Sequence, residues 1–148
     1  MLADDPLTSS TPTAGSRVQQ AGAICYYRNG KRRLRILSIG SRRNGRGDIP
    51  KGHPDPGQTS QLAAGREALE ATGVAGKVTS GVFGSFTYTM ESLPYYVAVH
   101  LLEVAGLSAE FPAKTVRRQK WFPLNVPVRQ ASQPGLRALL AKLEAVAS

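Results

Sequence analysis

The chain has 148 residues, 41% of them hydrophobic, with 19 Lys and Arg against 10 Asp and Glu and a net charge of +9. That length suits one compact domain around one core, and the apolar fraction is too high for a disordered chain. No apolar run approaches the roughly 18 residues needed to cross a bilayer. The opening MLADDPLTSSTPTAGS has neither the basic start nor the apolar stretch of a signal peptide, so the expectation is a cytoplasmic protein with no membrane partner. One cysteine, Cys25, excludes an internal disulfide framework; inside the apolar run Ala21–Tyr27 it reads as a buried, inert thiol. The basic excess would attract nucleic acid, an anionic membrane or small polyphosphates, or serve solubility alone, and charge by itself does not choose.

Residues 1–17 are rich in Ser, Thr, Pro, Ala and Asp without periodicity and read as a flexible tail, leaving residues 18–148 as the domain. Val18–Tyr27 predicts a strand, and Asn29-Gly30 a hairpin turn into a second strand that ends at Gly40. Ser41–Gly47 reads as an exposed Arg/Gly/Asn loop, Asp48–Lys51 as a short extended piece, and His53–Gly57 as a dense turn. Thr59 or Ser60 caps a helix that runs to about Thr72, where Gly73 supplies a left-handed stop. Within it, Leu62, Gly65 and Leu69 predict the packed face, with Glu67 and Glu70 on the other side. Lys77–Thr89 and Tyr95–Val104 alternate as strands, separated by a loop over Met90–Pro94. Ala105–Lys120 is polar and carries Lys114, Arg117, Arg118 and Lys120. Leu136, Leu139, Leu140 and Leu143 then give core spacing in a last helix after Ser132. This order predicts a mixed sheet with helices, of α/β or α+β class.

Gly52–Val74 reads GHPDPGQTSQLAAGREALEATGV. It resembles the Nudix box, G-x5-E-x7-R-E-U-x-E-E-x-G-U, where U is a bulky aliphatic. Gly52, Arg66, Glu67, Glu70, Gly73 and Val74 fall in register without a gap, and Ala68 stands for an aliphatic. Gln58 occupies the place of the first Glu and Ala71 that of the last. The flanking Pro50-Lys51-Gly52-His53 and Pro56-Gly57, with Arg117–Phe122 further on, are similar to diphosphoinositol polyphosphate phosphohydrolases. The likeness covers roughly Gln19–Leu143 and implies an α/β/α sandwich around a mixed sheet.

The resemblance further implies hydrolysis of a pyrophosphate bond in a polyphosphorylated small molecule, of diphosphoinositol polyphosphate or dinucleoside polyphosphate type. Mg²⁺ or Mn²⁺ would neutralise phosphate charge and orient the attacking water. On that reading Glu67, Glu70 and the carbonyl of Gly52 are metal ligands, and Arg66 orients a carboxylate beside it. Arg42, Arg43, Lys51, His53, Arg117, Arg118 and Lys120 form the substrate's basic rim, with guanidinium groups suited to phosphate. Ala71 supplies no oxygen, so Glu91 or Glu103 becomes a candidate replacement. The alternative is a catalytically impaired module that binds a phosphorylated ligand or an RNA end. A monomer or a homodimer fits either reading.

Overall fold

The computed structural model describes residues 17–40, 46–109 and 118–147. Strand β1 (Val18–Arg28) and strand β2 (Leu34–Gly40) pair antiparallel, Tyr27 opposite Arg35. Asn29 builds the turn between them: its side-chain oxygen accepts from the amides of Lys31 at 2.9 Å and Arg33 at 3.0 Å. The left-handed residue of this turn is Arg32, at φ 63°, whereas the glycine beside it, Gly30, does not have a positive φ.

Beyond Gly40 the sheet forks. The short β3 (Gly47–Asp48) continues along β2, and β4 (Lys51–Gly52) crosses to pair with β1, Gly52 opposite Ala21. Helix α1 (Ser60–Thr72) follows, capped by the Thr59 hydroxyl on the Leu62 amide at 3.2 Å and stopped by Gly73 at φ 77°. The expected run Lys77–Thr89 divides into β5 (Val74–Val78) and β6 (Gly84–Met90). Strand β7 (Leu93–Leu107) is longer than its alternation suggested, and the expected loop over Met90–Pro94 shrinks to the two residues Glu91 and Ser92, both left-handed. That geometry is what a tight hairpin between right-twisted strands requires. Strand β8 (Gln119–Pro123) pairs with β2, and a short helix α2 (Asn125–Gln130) that the sequence pattern did not reveal precedes α3 (Pro134–Ala147).

Strand β7 organises the sheet. One edge runs parallel to β1 for nine residue pairs, and the other pairs antiparallel with β6 and then with β5. The sheet is therefore mixed, and the two-residue period of its strands sends alternate side chains to two different layers. Ile24, Leu34, Ile36, Val97 and Val99 pack under α3, against Leu136, Leu139, Leu140 and Leu143. Ala21, Ala23, Cys25, Leu37 and Leu102 pack under α1, against Ala63, Ala64 and Ala68. The expected leucine face of α1 is thereby corrected. Leu62 and Leu69 are exposed at 62% and 44%, and the helix buries three alanines and Thr72 instead. Small residues on both sides let the helix axis approach the sheet; leucines there would hold it off.

Arg17, assigned to the tail from sequence, places its guanidinium over the ring of Tyr96 at 4.7 Å. Cys25 is fully buried, and burial pushes its thiol up to about 12.

Two outcomes test this packing. Ala68→Leu should cost about 1–3 kcal/mol by overfilling the layer, whereas Leu62→Ala should stay within about 0.5 kcal/mol, both read by urea unfolding. Cys25 should resist a thiol reagent at neutral pH and react stoichiometrically once the chain is unfolded in guanidinium chloride.

Candidate active site

Arg66 is the hub of the loop and the helix. Its Nη2 donates to the backbone carbonyl of His53 at 2.8 Å and to Oε1 of Gln58 at 3.2 Å. Its Nη1 donates to Oε2 of Glu67 at 2.9 Å and to Oε1 of Glu70 at 3.3 Å. Asp55 Oδ2 lies 3.6 Å from Nε, which is buried and makes no hydrogen bond among the described residues. Burial works against the charge of Arg66, but the hydrogen bond and charge of Glu67, with Asp55 and Glu70, outweigh it, and its pKa is raised. The side chain is a quarter exposed, so these pairs contribute shape more than stability.

Gln58 has a definite task here. Its Oε1 accepts from both Arg66 and the amide of Asp55, the latter at 2.9 Å, and its own amide donates to the Asp55 carbonyl at 2.9 Å. In this network the position supplies an acceptor, which an amide oxygen provides without a charge.

Glu67 lies against Gly52. A methyl group on Gly52 would fall inside the Glu67 carboxylate, so the residue that opens the box must be a glycine for the helix carboxylate to reach the loop backbone. Each acid keeps one oxygen, Oε1 of Glu67 and Oε2 of Glu70, that makes no hydrogen bond to the protein among the described residues. No three His, Cys, Asp or Glu side chains among the described residues converge as a metal site. Glu103 shares the β7 face that carries Val97, Val99 and Leu101, away from α1, and Glu91 sits exposed at the β6–β7 turn. The donor set is thus two carboxylates beside a backbone loop. It suits a hard cation that retains several waters and completes its shell with substrate phosphate.

Of the expected basic rim, Lys51, His53, Arg118 and Lys120 are among the described residues. Arg42, Arg43, Lys114 and Arg117 lie outside the described residues. His53 is exposed, and its carbonyl takes part in the network. The Lys51 ammonium is engaged by buried Asp48 at 2.5 Å and lies over the ring of Tyr88 at 5.3 Å. Arg118 and Lys120 line a cavity of about 740 Å³ with Arg46, Ser38, Phe122 and Gln130. Gln119, also in its wall, donates to the carbonyl of Thr72 at the end of α1. Asp55, Ser38 and Gln130 were missed from sequence. Only the acid in the turn Pro54-Asp55-Pro56 offered a signal, since a carboxylate there faces the helix start.

These features are those of a known domain. The family model described as the NUDIX domain matches residues 18–143, and the chain belongs to that family. Its fold is similar to that of an Ap4A hydrolase from C. elegans, at 22% identity and TM-score 0.73 over 89% of this chain and 99% of that one. It is also similar to a NUDIX hydrolase from Nitrosomonas europaea, at 18% identity and TM-score 0.69, over 88% of this chain and 90% of that one. The NUDIX domain of Shewanella oneidensis NrtR, solved with ADP ribose, matches at 13% identity and TM-score 0.68, over 88% of each chain. No curated protein sequence matches.

Replacing Arg66 with Met should loosen the loop before it loosens the helix. Stability should fall by no more than about 1 kcal/mol, because the acceptors left unpaired are exposed or only part-buried. Amide exchange should accelerate at residues 53–58 while α1 stays protected; unchanged protection of the Gln58 amide would remove Arg66 from its assigned role.

Proposed function

We propose that this domain hydrolyses a pyrophosphate bond in a polyphosphorylated small molecule, of dinucleoside polyphosphate or diphosphoinositol polyphosphate type, with Mg²⁺ or Mn²⁺. The observation that carries the reading is the carboxylate of Glu67, clamped by Arg66 and seated on Gly52, with Glu70 one turn on and a free oxygen left on each. Bound there, a divalent cation would neutralise phosphate charge and help orient a water.

The chain's own residues do the rest. Arg66 holds both carboxylates in one arrangement, so their free oxygens need not be ordered when substrate arrives. Three carboxylates surround its single positive charge, which leaves the cluster net negative and attractive to a cation. The cavity with Arg46, Arg118 and Lys120 supplies positive charge for the remaining phosphates, with planar guanidinium groups matched to phosphate oxygens. Phe122 offers that cavity an apolar wall, and the Lys120 ammonium lies 5.6 Å from its ring centre.

Two carboxylates are few for a site that must hold metal alone. On this reading metal and substrate bind together, and calorimetry with Mg²⁺ alone should give little saturable heat. The absence of a third acid among the described residues also favours a second reading, in which Ala71 marks a module that binds a phosphorylated ligand without turning it over.

Phosphate release from a panel of dinucleoside polyphosphates, diphosphoinositol polyphosphates, ADP-ribose and nucleoside triphosphates separates the two. The hydrolase reading expects turnover that chelator abolishes and that Glu67→Gln lowers on the order of 100-fold or more. Gly52→Ala should lower it comparably, with the circular dichroism spectrum retained. Ala71→Glu should raise turnover. A silent wild type that gains activity only as Ala71→Glu would mean that the fold has been retired from catalysis and that its ligand is to be sought by binding, and turnover indifferent to Glu67→Gln would move the site elsewhere.

A further inference from the structure

Between Val18 and Gly47 the chain contains no acidic residue, and its cations concentrate where β1 turns into β2: Arg28, Lys31, Arg32, Arg33 and Arg35. Arg28, Lys31, Arg32 and Arg33 are exposed and Arg35 is half-buried. None of the five makes an ion pair among the described residues. The tip of the turn lies at the other end of β2 from Ser38–Gly40, where the cavity with Arg118 and Lys120 opens, although Phe122 of the cavity wall pairs with Ile36, next to Arg35. From Arg32 to Ser38 is about six residues, on the order of 20 Å, and Arg35 stands about three residues, on the order of 10 Å, from Ser38.

The tip is held firmly. Besides the two bonds to its side chain, Asn29 exchanges backbone bonds with Arg32 at 2.8 Å and Arg33 at 2.9 Å, and Arg28 donates to the Arg32 carbonyl at 3.1 Å. Arg32 occupies the left-handed conformation that glycine adopts without cost. The result is a fixed projection with three consecutive cations. Beside it, Tyr27 lies opposite Arg35, and its ring meets Trp121 edge to face at 5.0 Å, both rings half-buried.

We propose that this hairpin is a docking site for single-stranded nucleic acid, the cations of its tip on backbone phosphates and the Tyr27–Trp121 pair against a base. Fixed cations with a neighbouring aromatic surface are the combination that single strands require. An anionic membrane is the weaker fit, because Asn29–Arg33 offers no apolar side chain to enter it. The inference stands apart from the hydrolase reading, since the cations of the hairpin belong neither to the Glu67 cluster nor to the basic cavity, and Trp121, though between Lys120 and Phe122 on β8, does not line that cavity.

The test is fluorescence anisotropy of a labelled 20-nucleotide RNA with the full chain, from 50 to 200 mM salt. Wild type is compared with the triple variant Lys31→Ala, Arg32→Gly, Arg33→Ala and with Arg118→Ala, Lys120→Ala. The glycine relieves the left-handed residue, so the triple variant should unfold no earlier than wild type. It should bind RNA on the order of tenfold more weakly, with a log–log salt slope shallower by about 2, as three lost phosphate contacts require. Equal affinity in the triple variant, loss confined to the Arg118 and Lys120 variant, or no RNA binding at all overturns the proposal. So does binding to phosphatidylserine vesicles in place of RNA.

Discussion

The close seat of α1 on the sheet is the constraint on which the site depends. Ala63, Ala64 and Ala68 meet Ala21, Ala23 and Cys25, so methyl groups and a thiol set the distance between layers. At that distance the side chain of Glu67 reaches Gly52, and Gly65 passes close to Val78, where a methyl would stand 3.3 Å away in a tight contact. Interiors pack densely and relax only partly. A layer built from small residues therefore holds its spacing tightly, and the carboxylate inherits that precision.

Two further contacts fix the helix at its ends. At the start, the Ser60 hydroxyl meets Nε2 of buried His100 at 2.7 Å, and Nδ1 of the same ring lies 2.8 Å from the Thr79 carbonyl. A carbonyl only accepts, so Nδ1 carries a proton. At the far end Gln119 on β8 donates to the Thr72 carbonyl at 3.1 Å, taking up one of the acceptors that a helix end leaves open. These polar pins restrain sliding of a helix whose apolar contacts are too smooth to do so alone.

Charge is segregated on this surface. Acids collect around Arg66, while the long acid-free stretch from Val18 to Gly47 holds cations. One guanidinium therefore carries much of the site's geometry. It bridges loop and helix with both terminal nitrogens, a task for a planar fork and not for a point charge. The chain's basic excess bears on what the surface attracts; the small acidic centre bears on what can be done there.

The sequence by itself determined the elements whose causes are local. Thr59 and Gly73 bound α1 because capping and the left-handed stop are short-range effects, and the leucine spacing of α3 marked its buried face. The register from Gly52 to Val74 placed Glu67, Glu70 and Arg66 together because helix geometry converts spacing into proximity. Tertiary structure decided the rest. Which face of α1 is buried depended on β1 presenting alanines, so the larger Leu62 and Leu69 turned outward against the usual preference. Lys51 was occupied by Asp48, and Ser38 and Gln130 joined a cavity wall with Arg118 and Lys120. These outcomes follow from pairings between residues far apart in the chain. A linear pattern does not record them, because each position carries its own preference and not that of the partner it will meet.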